Sequence, residues 1–191
     1  MRRTILGLLL LGLAAAAPTA PATAETAPQA STDFEGDWLI DGQAPMKLRY
    51  SAARGMIRVD VSNPGGRAIV LGNITTGEVL NWSPDLPAIA MRMHTAPLRV
   101  RDASRTGETK TIAGERCTVW QGEGATVCFT GDGIWIEGER AGTKALIHNL
   151  ERKAQPAGLF TPPAGMTIMD MPANMGQSMG LGLPGGGFGP L

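Results

Sequence analysis

Two cysteines are the residues whose chemistry the sequence specifies most narrowly. Cys117 and Cys128 lie on either side of Gly122-Glu123-Gly124, a turn signal between two segments rich in β-forming residues. A hairpin that turns at Gly122-Glu123 places the two cysteines directly opposite each other, within reach of a disulfide. A redox-active pair is the alternative, but such pairs are typically Cys-x-x-Cys beside a helix N-terminus. The spacing therefore favours a structural disulfide.

Ten methionines form a second group that could do chemistry. Thioethers are soft ligands that favour Cu(I). A methionine-rich exported chain could therefore bind copper through its C-terminal region, at Met166, Met169, Met171, Met175 and Met179. The competing interpretation is packing, because methionine fills irregular cores well. Copper binding is thus an alternative function, and no cofactor is assigned.

Tryptophan offers a different kind of site. Four of the nine aromatic residues are tryptophans, and each would bury about 150–250 Å² in a core. Ligand pockets are also mostly apolar, with few polar groups. In that functional interpretation a concave groove for an acyl chain or peptide segment is lined by Trp82, Met91, Met93, Trp120 and Trp135. The sequence does not separate such a groove from a filled core.

Catalytic motifs are not found. The chain has no G-x-S-x-G or H-E-x-x-H motif, and its two histidines are His94 and His148. A formal net charge of zero without a basic block argues against a nucleic-acid binder. We therefore expect a non-catalytic protein without a nucleic-acid partner; a hydrolase is the alternative that these missing motifs leave open.

The N-terminus has the form of an export signal. Arg2 and Arg3 precede an apolar run over 5–17, followed by Ala22-Thr23-Ala24. A basic start, a short apolar segment and an A-x-A site are typical of a cleaved secretory signal, and the apolar run is too short to cross a bilayer. We predict a signal peptide over 1–24, no lipoprotein cysteine, and a periplasmic or secreted protein with no transmembrane segment after cleavage. Disulfides persist in such oxidising compartments.

The elements that must position these residues are strands. From Met46 onward apolar and polar residues alternate with a period of two, and turn signals separate the runs. We predict a curved antiparallel meander sheet or half-barrel of nine or ten strands with little helix, because apolar residues occupy both faces of some strands. Phe34 to Ile40 is expected as a further edge strand. The strands are predicted near 46–51, 55–62, 67–73, 77–83, 87–93, 109–114, 116–121, 125–130, 133–139 and 143–152.

The chain divides into one folded unit and flanking segments. Residues 172–191 contain seven Gly and three Pro, so they cannot bury enough apolar area to offset their ordering entropy. We predict a flexible leader over 25–32, a single β domain over 33–171 and a disordered Gly/Met-rich tail over 172–191.

Three segments resemble a family of uncharacterised secreted bacterial β domains. The family pattern is a Gly-x-x-Cys strand with an aromatic, a Cys-x-x-Asp-Gly hairpin and a closing Phe-x-Pro-Pro-x-Gly-Tyr. The matching residues lie in 111–120, 127–133 and 159–166, where Met166 replaces the usual Tyr. The family is similar in architecture to the half-barrels of periplasmic lipoprotein carriers, which hold acyl chains on a concave apolar face. The resemblance implies the fold more than the activity.

These observations lead to one expected function and two alternatives. We expect an exported, non-catalytic binding module of the bacterial envelope for an apolar ligand, such as a lipid or a lipoprotein acyl chain. A Cu(I)-binding protein and a structural envelope protein without a ligand are the alternatives. The sequence leaves the oligomeric state open.

Overall fold

The computed structural model describes residues 26–86, 88–95, 103–122 and 124–171. This part of the chain folds into twelve strands and two short 3-10 helices, Ala52–Arg54 and Ala157–Phe160. The predicted mostly-β fold is confirmed, but the predicted nine or ten strands are too few. The strands are β1 (Phe34–Ile40), β2 (Met46–Ser51), β3 (Met56–Asn63), β4 (Gly66–Asn73), β5 (Glu78–Trp82), β6 (Ile89–His94), β7 (Ser104–Ile112), β8 (Glu115–Gly122), β9 (Ala125–Thr130), β10 (Trp135–Arg140), β11 (Thr143–Arg152) and β12 (Thr167–Asp170). The predicted signal peptide and tail lie outside the described residues.

All twelve strands belong to one open sheet in the order β12-β6-β5-β4-β3-β2-β1-β11-β10-β9-β8-β7. Two antiparallel meanders, β1 to β6 and β7 to β11, are joined where β1 pairs with β11. The exception to antiparallel pairing is β12, which runs parallel to β6 at one edge of the sheet. The two open edges are therefore β12 and β7.

Strand β1 lies in the middle of the sheet, so the expectation of an edge strand there is wrong. Phe34 lies opposite Tyr50 on one neighbour and Arg152 on the other. The strand alternates buried and half-buried positions along its whole length, with Trp38 and Ile40 on its buried side. Its other side carries Glu35 and Asp37, which form ion pairs with Lys47. A strand with one apolar face and paired charges on the other is suited to a central position.

The largest core cluster draws on both meanders. It contains residues that are completely buried, including Val59 of β3, Ile136 of β10 and Ile147 of β11. A second cluster is built around Trp120, Val127 and Phe129 of the β8–β9 hairpin. The third, built around Leu71, Leu80 and Trp82, is covered by Phe160 of the second 3-10 helix.

The β8–β9 hairpin is buried on both faces, as its sequence predicted. Trp120 lies opposite Val127, and Val119 lies opposite Cys128. All four residues are at most 7% exposed, and the two pairs belong to different core clusters. Apolar burial on both faces follows from the packing of this strand pair between two clusters.

The Cys117–Cys128 disulfide is present, with Cα atoms 5.4 Å apart. Its predicted register is wrong by two residues. Cys117 lies opposite Thr130, so the disulfide joins a diagonal pair. The turn begins one residue later than expected, because Gly122 pairs with Ala125. Gly124, with φ +73°, takes the left-handed conformation that favours glycine. A shift of two residues leaves every side chain on its predicted face.

Residues 26–33, most of which the sequence assigns to a flexible leader, make specific contacts. The backbone N–H of Ser31 donates to the carbonyl of Asp132 at 3.0 Å. The hydroxyl of Tyr50 donates to the carbonyl of Ala30 at 3.2 Å. Asp33 accepts hydrogen bonds from the backbone N–H groups of Ala52 and Gln155. The segment is thus tied to three separate parts of the sheet domain.

Candidate functional site

The proposed groove residues on β5 and β6 point to opposite faces of the sheet. Met91 lies opposite Asn81 and Met93 opposite Val79, so all four side chains share one face. Trp82, one residue beyond Asn81, lies on the other face because side chains alternate along a strand. It is 4% exposed and belongs to the cluster that Phe160 covers. Trp82 is therefore part of the core, on the opposite face from the two methionines.

The other two groove tryptophans, Trp120 on β8 and Trp135 on β10, lie on strands that are far from β6 in the strand order of the sheet. Trp120 packs edge-on against Phe129, with ring centroids 6.4 Å apart. Trp135 is half-buried and contacts Trp38 edge-on at 5.7 Å. Trp120 belongs to the second core cluster, whereas Trp135 packs against both the first and the second. Met93 and Trp135 both pack against the first cluster, whereas Trp82 and Trp120 belong to the third and second clusters, so the five predicted residues do not form one lining.

A different set of residues meets at the β6–β12 edge. Met169 of β12 lies opposite Met91 of β6 in the parallel ladder. Met171, two residues after Met169, donates its backbone N–H to the carbonyl of Arg92 at 2.9 Å. This bond continues the register and places Met171 beside Met93. We call the surface formed by Met91, Met93, Met169 and Met171 the methionine face.

The sequence predicts these four methionines in two separate sites, because β6 and β12 are far apart in the chain. Met91 and Met93 belong to the predicted groove, and Met169 and Met171 to the copper alternative. The alternation Thr167, Met169, Met171 is the signal that would have predicted β12. No local pattern indicates that this strand pairs with β6, because the pairing is parallel and not part of a hairpin.

The remaining predicted copper ligands are not on this face in the described residues. Met166 is half-buried and packs against the cluster that contains Trp82. Met175 and Met179 lie outside the described residues. Of the five methionines in the copper alternative, two therefore belong to the methionine face.

Exposed apolar side chains concentrate at the same edge. Among the described residues, the exposed large hydrophobics are Leu86 (70%), Met169 (54%), Ile89 (45%) and Ile168 (40%). Leu86 is in the loop that leads into β6, and the other three are on β6 and β12. Ile89 shares the face of Met91, whereas Ile168 points to the other side of the edge strand. Apolar groups therefore flank the open edge on both sides.

Charges near this edge are paired and lie on the other face. Arg92 forms ion pairs with Glu78 and Asp170, each at 3.3 Å. Asp170 lies opposite Arg92 in the ladder, so this ion pair links β12 to β6. It lies on the same face of the sheet as Ile168. The methionine face carries none of these charged side chains.

A shallow cleft lies elsewhere, with a volume of about 690 Å³. Its lining comes from three segments, 30–33, 52–53 and 152–154, and includes Asp33, Arg152 and Lys153 together with small residues. Arg152 donates to both Glu115 and Asp132, and Lys153 to Glu35 and Glu151. Hydrogen bonds from Arg152 hold the pKa of each of its two carboxyl partners below the ordinary value. The charges of this cleft are thus engaged within the protein.

The described residues contain no cluster of three or more His, Cys, Asp or Glu side chains suited to a metal ion. Within the same ranges, no helix has the length and apolar character needed to span a membrane.

Comparison with known proteins shows similarity of fold. No family model and no curated protein matches the sequence. Two solved structures of PNGF-II, in C2 and P21 space groups, each match 78% of this chain with a TM-score of 0.52 and 14% identity. This chain spans about a third of the length of PNGF-II, 32% and 33% in the two structures. An uncharacterized conserved protein from Thermus thermophilus matches 74% of this chain and 91% of its own, with a TM-score of 0.51 and 14% identity.

These matches show that the chain shares a β-sheet fold with the three structures. At 14% identity they indicate a shared fold and do not indicate that this chain has the activity of the matched proteins. The specific Cys and Phe-Pro-Pro pattern of the secreted bacterial family stays a prediction.

Proposed function

We propose that this protein is an exported, non-catalytic binding module of the bacterial envelope. Its ligand is apolar, a lipid or a lipoprotein acyl chain, and it binds along the open β6–β12 edge. The observation that carries the proposal is the concentration of Leu86, Ile89, Ile168 and Met169 at this one edge. Export is supported by the disulfide, since such bonds persist in oxidising compartments.

The exposed edge would be unfavourable without a partner. An open edge strand offers unpaired backbone groups, and natural proteins usually protect it with charge, proline or a covering segment. Here β12 has a single charged residue, Asp170, which is already paired with Arg92. Exposed apolar patches commonly mark binding surfaces. Complete burial of a fully exposed side chain of this kind is worth about 1.5–3 kcal/mol, and these side chains are 40–70% exposed, so covering each of them contributes part of that free energy.

The fold is compatible with a carrier-like role. Residues such as Val59 and Ile147 are completely buried although the described residues contain no helical layer over the sheet. We infer that the sheet bends so that one part of it covers another, as in the half-barrels of the lipoprotein carriers. The sequence resemblance to secreted bacterial β domains supports the same interpretation.

A fluorescent fatty acid whose emission rises in apolar surroundings tests this proposal. We expect the protein to bind the probe, and Ile168→Lys to weaken binding at least tenfold, because a charge then occupies the apolar edge. The matched control is Thr109→Lys, which places the same charge on β7 at the opposite edge, and it should bind like wild type.

Two outcomes would contradict the proposal. If the wild-type protein does not bind the probe, the structural role without a ligand becomes the better explanation. If both lysine variants bind like wild type, an apolar ligand binds elsewhere and the β6–β12 edge is not its site.

A further inference from the structure

We propose that the methionine face binds one Cu(I) ion through the thioethers of Met91, Met93, Met169 and Met171. This inference goes beyond the proposed function and stands without it. It depends on sulfur atoms, whereas the proposed function depends on apolar area.

The register brings the four side chains close enough to share one ion. Met91 and Met169 are directly opposite each other on adjacent strands, and paired strands lie about 4.8 Å apart. Along each strand the two methionines are separated by one residue, a rise of about 6.6 Å. Each methionine has three rotatable bonds, so its sulfur can move several ångströms toward a common centre. The four thioethers can therefore converge above the sheet.

Burial distinguishes these methionines from a core methionine. Met46 of β2 is 4% exposed, whereas Met169 is 54% exposed and Met91, Met93 and Met171 are half-buried. Met93 also packs against the largest core cluster. Solvent therefore reaches the methionine face mainly at Met169.

The chemistry of the face selects a soft ion. Thioethers favour Cu(I), whereas carboxylates and imidazoles also bind harder divalent ions. Strand alternation places Arg92, His94 and Asp170 on the opposite face of the same two strands. The other residues of β6 and β12 on the methionine face are Ile89 and Thr167. We therefore expect Cu(I) to bind in preference to Zn²⁺ or Cu²⁺.

Titration of the purified protein with Cu(I) under nitrogen, in competition with bicinchoninate, tests the proposal. We expect one tightly bound Cu(I) per chain. The variant with leucine at all four positions (Met91→Leu, Met93→Leu, Met169→Leu and Met171→Leu) should bind at least tenfold more weakly. Leucine is a volume-conserving replacement for methionine, and far-UV circular dichroism checks that the variant folds. The single variant Met169→Leu, at an exposed position, should weaken binding without any risk to the fold.

Two controls separate the methionine face from the other methionines. Met166→Leu changes a methionine that packs against the Trp82 cluster and should bind Cu(I) like wild type. Met175→Leu with Met179→Leu should also leave binding unchanged.

Three results would overturn the proposal. They are no Cu(I) binding by the wild-type protein, equal binding by the four-leucine variant, and loss of binding in the Met175→Leu, Met179→Leu variant. Failure of the proposed function is separate, because the four-leucine variant keeps its apolar edge and should still bind the fluorescent fatty acid.

Discussion

The indole of Trp38 on β1 meets that of Trp135 on β10 edge-on, with ring centroids 5.7 Å apart and planes inclined by 72°. These strands are not neighbours, because β11 lies between them. Trp38 pairs with Ile147 of that middle strand. The contact therefore reaches across the strand that joins the two meanders, and it ties the meanders together through side chains as well as through backbone pairing.

Removing the ring of Trp38 should destabilise the protein more than removing the ring of Trp135. Trp38 is 5% exposed, so Trp38→Ala should lower the free energy of unfolding by about 3–5 kcal/mol. Trp135 is half-buried, and Trp135→Ala should cost less. The double variant should lose less than the two single losses added together, because an edge-on aromatic pair is worth about 0.5–1.5 kcal/mol. Urea unfolding measures all three, and strict additivity would show that the two rings do not stabilise each other.

Loss of the disulfide should destabilise the protein moderately. The bond closes a loop between residues separated by 11 positions, for which the chain-entropy account gives about 3 kcal/mol at most. Cys117→Ala with Cys128→Ala should lower the free energy of unfolding by about 2–3 kcal/mol. Alanine is preferred to serine because both sites are buried. Reductant should lower the unfolding midpoint of the wild type and leave that of the variant unchanged; an equal effect on both would point to another cause.

Acid should lower the free energy of unfolding, in part because it protonates the two carboxylates that pair with Arg152. Hydrogen bonds from Arg152 lower the pKa of Glu115 and Asp132 in the folded state, whereas unfolded carboxyls titrate near pH 4. A lowered folded-state pKa gives stabilisation that is present above the unfolded pKa and lost as the pH falls through the folded one. Arg152→Gln should therefore reduce stability at pH 7 and flatten its decline below about pH 4. Urea unfolding at a series of pH values measures both effects.

The matched control for that pH series is Arg116→Gln, which removes the same charge from an exposed position. It should keep the wild-type slope of stability against pH. If Arg116→Gln and Arg152→Gln flatten the curve equally, net charge rather than the Glu115–Arg152–Asp132 interaction causes the acid sensitivity.

Gly133 should be needed for docking of the N-terminal segment. It has φ +80°, and a Cβ atom there would lie 2.3 Å from the carbonyl oxygen of Gln29. Gly142 has φ +79° with open space around it. Both alanine variants carry left-handed backbone strain of about 1–2 kcal/mol, but Gly133→Ala should also displace residues 26–31. Limited proteolysis should cleave this segment faster in Gly133→Ala than in Gly142→Ala, and equal rates would mean that the segment is not held there.

Local patterns predicted much of the sheet. The period-two alternation and turn residues placed β2 to β6 and β8 to β11 near their observed positions, because side chains alternate between faces and turns need particular residues. The β8–β9 faces and the disulfide were also predicted correctly. The turn position was wrong by one residue, since Gly122-Glu123-Gly124 allows a turn at either of two positions and only the full ladder selects one.

The candidate site was less predictable than the fold. The prediction of the five groove residues rests on residue type, and type does not determine which face of which strand a residue occupies. Trp82 and Met91 are on opposite faces, and this follows from the pairing of β5 with β6. The pairing of β5 with β6 is local, so the sequence is sufficient to predict it. Once that register is given, Trp82 and Met91 follow on opposite faces.

Local sequence is enough to predict most of the strands, the two-faced burial of one hairpin and the cysteine pair, because each depends on residues close together in the chain. The central position of β1 and the pairing of β12 with β6 depend instead on the tertiary structure. In that last pair, Arg92 and Asp170 are 78 residues apart, and no turn chemistry links them. Such contacts form because burial and backbone pairing over the whole sheet favour them, and that long-range pairing brings the four methionines onto one face.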